Sequence, residues 1–141
     1  MLGYCGIYCE QCSATLPVDE QSPKYTRDFP YPQLLGKTPA HHCDGCKSDD
    51  CWCSTCTFKS CAMSKAIDSC AECDSFPCEH MVAFSNDGIP HHKSAVENLR
   101  AIREHGIDFW YENLKPALKC HCGERQFYYY TCPIHSKNLD L

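Results

Sequence analysis

Cysteine is the residue through which this chain could do chemistry. Fifteen cysteines stand in clusters along 141 residues: Cys5, Cys9 and Cys12; Cys43 and Cys46; Cys51, Cys53, Cys56 and Cys61; Cys70, Cys73 and Cys78; Cys120, Cys122 and Cys132. C-x-x-C pairs recur at 9/12, 43/46, 53/56 and 70/73. Two thiolates at that spacing can grip one ion from a tight turn, so the chemistry on offer is metal ligation. The tail adds a different donor, with Cys120-His-Cys122 followed by Cys132-Pro-Ile-His135. The 12 cysteines up to Cys78 divide into three sets of four, and the three of the tail plus His135 make a fourth. Every cysteine and His135 is therefore a candidate ligand. Pairs can interleave along a chain, so spacing leaves open which ligands share an ion and supports two to four ions. Zinc is the first expectation, because it accepts four thiolates without redox assembly. An iron–sulfur cluster is the alternative, since sets of four cysteines serve it equally.

Other uses of cysteine fit less well. A disulfide framework needs an oxidising compartment and usually an even count, and the count here is odd. The N-terminal residues have neither a basic nor an apolar signal region, and no apolar run is long enough for a membrane span, so a reducing cytoplasm is expected. Cys5-x3-Cys9-x2-Cys12 has the spacing of the radical S-adenosylmethionine cluster motif, but the chain lacks the length and strand–helix alternation for that barrel. Thioredoxin-like exchange would need a C-x-x-C opening a helix beside a βαβ core. Hydrolytic zinc would need an open coordination position and a base; Glu10, Glu72 and Glu79 beside the cysteines read as ordinary solvated charges. No catalytic residue is assigned. His42 or His80 could replace a cysteine as a fourth ligand.

Formal net charge is -5. Each zinc bound by four thiolates adds +2 and -4, so three such sites would bring the chain to about -11. Phosphate backbones are bound by basic surface, so electrostatics argue against a nucleic-acid partner. A protein partner is the expectation instead. Apolar residues are 43% of the chain, but the cysteines are inside that figure, and without them the core is thin. Metal must then supply folding free energy, on the order of 10 kcal/mol per structural zinc, and the metal-free chain should be largely unfolded over its first ~80 residues.

The elements that must position these ligands are short. Ser13 to His42 holds five prolines and no cysteine; it allows at most a helix around Pro23–Asp28. Its Tyr25, Phe29 and Tyr31 could cover a metal site or meet a partner. Ala62, Met63, Ala66 and Ile67 predict a short amphipathic helix between Cys61 and Cys70. A second helix is expected from about Pro77 to Phe84, started by Asp74-Ser-Phe-Pro77 and ended by Asn86-Asp-Gly88. His92–His105 is the best ordinary helix, with Ala95, Val96, Leu99 and Ile102 on one face and Gly106 beyond its end. Asp108 is expected to cap a helix over Phe109–Leu114, with Phe109 and Trp110 as core anchors. Gln126–Thr131 is an aromatic, β-branched run with strand propensity.

Several of these motifs resemble a known family. Cys5-Gly-Ile-Tyr-Cys9-Glu-Gln-Cys12, Cys43-Asp-Gly-Cys46, Cys56-Thr-Phe-Lys-Ser-Cys61-Ala62 and Cys70-Ala-Glu-Cys73-Asp-Ser-Phe-Pro-Cys78 are similar to the small cysteine-rich bacterial and archaeal proteins of domain of unknown function 3795. His92-Lys93, Asn98-Leu99, Gly106 and Trp110 also resemble that family's helical part. The likeness implies a metal-binding, zinc-preferring cytoplasmic protein and brings no activity. The proline-rich 13–42 stretch departs from the family, and the tail ligands rest on spacing alone.

These readings predict a small metal-stabilised α+β fold: cysteine-rich irregular loops, short helices and a C-terminal zinc-ribbon-like hairpin. The expected organisation is a metal-binding module over 1–80, a helical segment over 81–118 and a ribbon-like segment over 119–141. The expected function is a zinc protein with structural metals that acts as a protein-interaction module. The alternatives are an iron–sulfur electron carrier or redox sensor, and a zinc-dependent enzyme.

Overall fold

Hydrophobic periodicity is cleanest in α3 (Pro90–His105), and this helix organises its surroundings. It buries Ala95, Val96, Leu99 and Ile102 along one face, as its sequence predicts. It begins two residues before His92, because Pro90 occupies the first turn, where a missing N–H costs nothing. Gly106 ends it at φ 91, donating its N–H to the Ile102 carbonyl at 2.8 Å. α4 (Ile107–Asn113) follows at once, so Asp108 lies in its first turn and does not cap it. Trp110 is fully buried, whereas Phe109 is 38% exposed and is not a core anchor. Neighbouring helix positions point about 100° apart, so one of the two aromatics had to face outward.

The computed structural model of the protein describes residues 1–20, 42–49, 55–128 and 132–135. The possible helix around Pro23–Asp28 and the aromatics Tyr25, Phe29 and Tyr31 lie outside the described residues. The chain divides into two units, one of Met1–Cys9 with Asp44–Pro116, the other of Glu10–Cys43 with Ala117–Leu141.

In the first unit, α1 (Thr57–Ser64) and α2 (Glu79–Ser85) precede α3. α1 starts earlier than the apolar spacing suggested and stops before Ala66 and Ile67. Ala66 sits at φ 53, in the left-handed region, and its N–H reaches the Met63 carbonyl at 3.1 Å while that of Ile67 reaches Ala62 at 3.1 Å. That pair of bonds is a Schellman end, usually built around glycine. Met63 consequently stands 60% exposed, and Ala62 is the buried residue of the helix. α2 starts after Cys78, so Asp74–Pro77 lies in the turn before it, and Asn86 ends it. Tyr8, Met81, Leu99 and Trp110 are the largest fully buried side chains of this unit. Trp110 meets Tyr8 edge to face at 5.4 Å and donates its indole N–H to Asn98 Oδ1 at 2.8 Å. Asn98 Nδ2 in turn donates to the Gly6 carbonyl at 2.9 Å. Gly6, at φ 88, lies so close to α3 that a Cβ there would fall 2.2 Å from the Ala95 carbonyl oxygen. The loop carrying Cys5 and Cys9 is thus seated on α3 through a residue with no side chain.

The second unit is built from loops. Leu16 and Phe127 form its apolar cluster. Cys43 N–H bonds the Ala14 carbonyl at 2.8 Å, and Tyr128 N–H bonds that of Gln11 at 2.9 Å.

The expected α+β class needs correction. No strand is present among the described residues, whose pairing includes the isolated antiparallel bridges of Leu2 with Tyr8 and Lys119 with Arg125. The zinc-ribbon-like hairpin is therefore not supported. Gly123, at φ 92, turns the chain; Cys120 N–H reaches the Glu124 carbonyl at 2.8 Å and Gln126 N–H the Leu118 carbonyl at 2.9 Å, around the Lys119–Arg125 bridge, without building a strand among the described residues. Gln126 is turned inward, where its Oε1 accepts the Cys132 N–H at 2.9 Å. Residues 129–131 of the expected strand lie outside the described residues. What the structure describes is a small cysteine-rich protein of four α-helices and ordered loops. Among the described residues, no helix is long and apolar enough to cross a membrane.

Candidate metal centre

The second unit brings the tail donors together. The Gly123 turn presents Cys120 and Cys122, and the Gln126 side chain holds the backbone of Cys132 so that its thiol faces them. His135 completes the set one turn later, its N–H bonded to the Cys132 carbonyl at 3.2 Å. One ligand atom from each of Cys120, Cys122, Cys132 and His135 lies within 4.8 Å of the others. Cys122 and Cys132 sulfurs are 3.7 Å apart, and His135 Nδ1 is 3.2 Å from Cys120 Sγ and 3.5 Å from Cys132 Sγ. A tetrahedral zinc with bonds of about 2.3 Å to sulfur and about 2.05 Å to nitrogen has edges of about 3.8 Å (S–S) and about 3.6 Å (S–N). Three of the donor distances lie near those edges and the whole set falls within 4.8 Å, so these four residues could hold one metal ion. Four protein donors fill such a tetrahedron, which is the arrangement of a structural rather than a hydrolytic ion. Sequence spacing missed His121, whose ring lies 3.9 Å from that of His135 and whose Nδ1 is 3.6 Å from Cys120 Sγ.

The first unit gathers cysteines in two places. Cys46 lies beside Cys9 and holds its thiol down to about 6, while the Cys46 thiol is itself raised by the thiolate next to it. The two sulfurs flank Gly3, where a Cβ would come within 3.0 Å of Cys46 Sγ and 3.5 Å of Cys9 Sγ. Cys5 is buried nearby, and burial pushes its thiol up to about 12. Cys56, Cys61, Cys70, Cys73 and Cys78 gather around α1, the turn Cys70–Glu72 and the start of α2. Burial and the neighbouring thiolates raise Cys70 to about 11. Cys73 is held below the usual thiol range by Lys65, whose Nζ donates to its sulfur at 3.1 Å.

The remaining candidates are placed as follows. Cys12 and Cys43 belong to the second unit. Cys51 and Cys53 lie outside the described residues. His42 turns its Nδ1 to the Leu16 carbonyl at 3.1 Å, and His80 is exposed beside Phe58 with ring centres 6.1 Å apart. The described cysteines are all unbridged.

Fold and site together define a small cysteine-rich helical protein with a Cys/His cluster able to hold a metal ion. Residues 1–83, more than half of the chain, match the family described as protein of unknown function (DUF3795), and the protein belongs to that family. The match ends within α2, so α3, α4 and the tail donors lie beyond it. No curated protein and no solved structure matches the chain.

Proposed function

We propose that the protein is a zinc-stabilised scaffold whose metals hold the fold and whose work is to bind a protein partner. The convergence of Cys120, Cys122, Cys132 and His135 on one tetrahedral volume carries the reading. Zinc is favoured because it takes mixed thiolate and imidazole donors in a tetrahedron. The partner is a protein because the chain is acidic and becomes more so on binding metal through thiolates. In the first unit, Met63 on α1 and Val82 on α2 are 60% and 47% exposed, apolar positions a partner could cover.

The test is metal analysis on protein purified without added metal, followed by stepwise chelation under near-ultraviolet circular dichroism. Zinc bound by the wild type, one ion fewer in His135→Ala with Cys132→Ser, and loss of the tertiary signal on full chelation are expected. A tertiary signal unchanged after complete metal removal would sink the scaffold reading. For the partner, affinity capture is compared between the wild type and Met63→Glu with Val82→Glu. A protein held by the first and lost from the second, at unchanged metal content, is the supporting result; equal capture removes this face from the proposal.

A further inference from the structure

The tail donors are not equivalent, and the contrast between Cys122 and Cys132 supports a chemistry beyond holding an ion. Cys132 is 2% exposed, and its backbone N–H is fixed by Gln126 Oε1 at 2.9 Å. Cys122 is exposed, on a turn closed by the Gly123 N–H on the Cys120 carbonyl at 2.8 Å. A Cβ at Gly123 would meet nothing within 4 Å, so that turn has open space beside it. The Cys122 and Cys132 sulfurs lie 3.7 Å apart. A disulfide has an S–S bond of about 2.05 Å, so an approach of about 1.7 Å would join them. The exposed turn is the side free to make that approach, because the Cys132 backbone is pinned. Cys120 is matched instead with imidazole nitrogens, Nδ1 of His135 at 3.2 Å and Nδ1 of His121 at 3.6 Å. A thiol that coordinates a metal is deprotonated, and the thiolate is the form that oxidants attack. An exposed thiolate with a second cysteine beside it is the arrangement of a redox-responsive pair.

We propose that Cys122 is a peroxide-sensitive residue and Cys132 its resolving partner, so that two-electron oxidation joins them as a disulfide and expels the tail metal ion. The proposal rests on the reading of Cys120, Cys122, Cys132 and His135 as one metal set. The oxidant is hydrogen peroxide. The Cys122 thiolate attacks one peroxide oxygen; the O–O bond breaks, Cys122 becomes a sulfenic acid and hydroxide leaves. The Cys132 thiolate then attacks the Cys122 sulfur; the S–S bond forms, the S–O bond breaks and a second hydroxide leaves. The two sulfurs lose two electrons, the peroxide gains them, and a proton from solvent turns each hydroxide into water. Cys120 and His135 remain, two donors where a closed zinc site takes four, so the ion is released. Oxidation thereby withdraws the folding free energy that the ion gives the second unit, and reduction of the disulfide restores the site.

The experiment uses the full chain, purified under reducing conditions, loaded with zinc and freed of excess metal and reductant. Equimolar hydrogen peroxide is added, released zinc is followed with a chromogenic chelator, and bridges are mapped by tandem mass spectrometry after free thiols are alkylated. Trypsin cuts after Lys119 and Arg125, so a Cys122–Cys132 bridge joins two peptides that otherwise separate. Zinc that peroxide releases from the tail variant His135→Ala with Cys132→Ser is subtracted. The expected result is that the bridge and the remaining zinc release rise together, one ion for each bridge, and that dithiothreitol with fresh zinc reverses both. In Cys132→Ser, dimedone should trap several-fold more sulfenic acid at Cys122 than it traps at Cys132 in Cys122→Ser. Equal or reversed trapping overturns the roles given to the two residues, and a bridge through Cys120 overturns the pairing. If no tail bridge forms while the tail variant still binds one zinc fewer than the wild type, the switch is overturned and the metal reading stands. A Cys122–Cys132 bridge that forms without zinc release overturns the tail metal site, and the switch with it.

Discussion

Gly6 and Gly88 share a backbone conformation and differ in surroundings, so alanine at each separates strain from close packing. Their φ values are 88 and 87. Alanine in the left-handed region costs about 1–2 kcal/mol at either site. At Gly88 a Cβ would meet nothing within 4 Å, so the cost stops there. At Gly6 the Cβ would lie 2.2 Å from the Ala95 carbonyl oxygen and 2.7 Å from Leu99 Cγ. The first distance is about 1 Å inside an ordinary C···O contact of ~3.3 Å. Ala95 and Leu99 are fully buried on α3, so neither can yield by a rotamer change, and the loop must lift off the helix. Overpacking of this kind costs about 1–3 kcal/mol, and the Asn98 bond to the Gly6 carbonyl adds about 1 kcal/mol when it breaks. Gly6→Ala should therefore cost about 3–6 kcal/mol and Gly88→Ala about 1–2 kcal/mol. Against a total stability of about 5–15 kcal/mol, the first change removes a substantial share and the second a small one. Urea unfolding of the metal-loaded variants, followed by the fluorescence of buried Trp110, reads both. Equal midpoints would refute the seating of the Tyr4–Cys9 loop on α3.

Three further outcomes are expected. Asn98→Ala removes the acceptor of the Trp110 indole and the donor to Gly6, and should cost about 2–4 kcal/mol; in a double-mutant cycle with Trp110→Phe, additive losses would show that the bond contributes nothing. Ala66→Gly relieves a left-handed alanine and should stabilise by up to about 1 kcal/mol, seen as a higher urea midpoint; a lower midpoint would mean that the Schellman end is not formed. His91 is pushed down to about 4 by burial and then by the charge of His92, with Asp87 acting weakly the other way. The unfolded chain, titrating near 6.5, binds more protons between those values, so the contribution of His91 is fully present above about pH 6.5 and lost as pH falls toward 4. Discounted for partial exposure, the wild type should lose about 1 kcal/mol more than His91→Gln between pH 7 and pH 5. Identical pH profiles for the two proteins would contradict the burial of that ring.

Much of the candidate site could be read from residue types, because a ligand's identity is local. The tail set is the clear instance: two donors on either side of a turn and two more at C-x-x-H spacing converge with little help from the rest of the chain. The apolar face of α3 was legible for a similar reason, since Ala95, Val96, Leu99 and Ile102 obey one period. What sequence could not show is tertiary. Nothing in Lys65 says that its ammonium reaches Cys73, because that depends on an alanine adopting a conformation that favours glycine. The same alanine cut short a helix whose spacing ran on to Ile67. The strand expected at Gln126 does not form among the described residues, although its N–H pairs with the Leu118 carbonyl; its buried side chain instead accepts the Cys132 N–H, a contact that propensity does not encode. Phe109 and Trp110 are equally apolar, and only the angle at which α4 leaves Gly106 decides which one is buried.

The two units are threaded through one another along the chain: residues 1–9 belong to the first, 10–43 to the second, 44–116 to the first again, and the remainder to the second. A ribosome delivers the opening stretch of each unit long before its remainder. Cys5 and Cys9 must wait for α3, and Cys12 and Cys43 for the tail. Chains fold by units during synthesis, so each cysteine pair spends that interval exposed to whatever metal or oxidant the compartment supplies. Neither unit can be obtained by cutting the gene once, and a fragment ending at residue 83 would carry the first cysteines of both units without the helix on which Gly6 is seated.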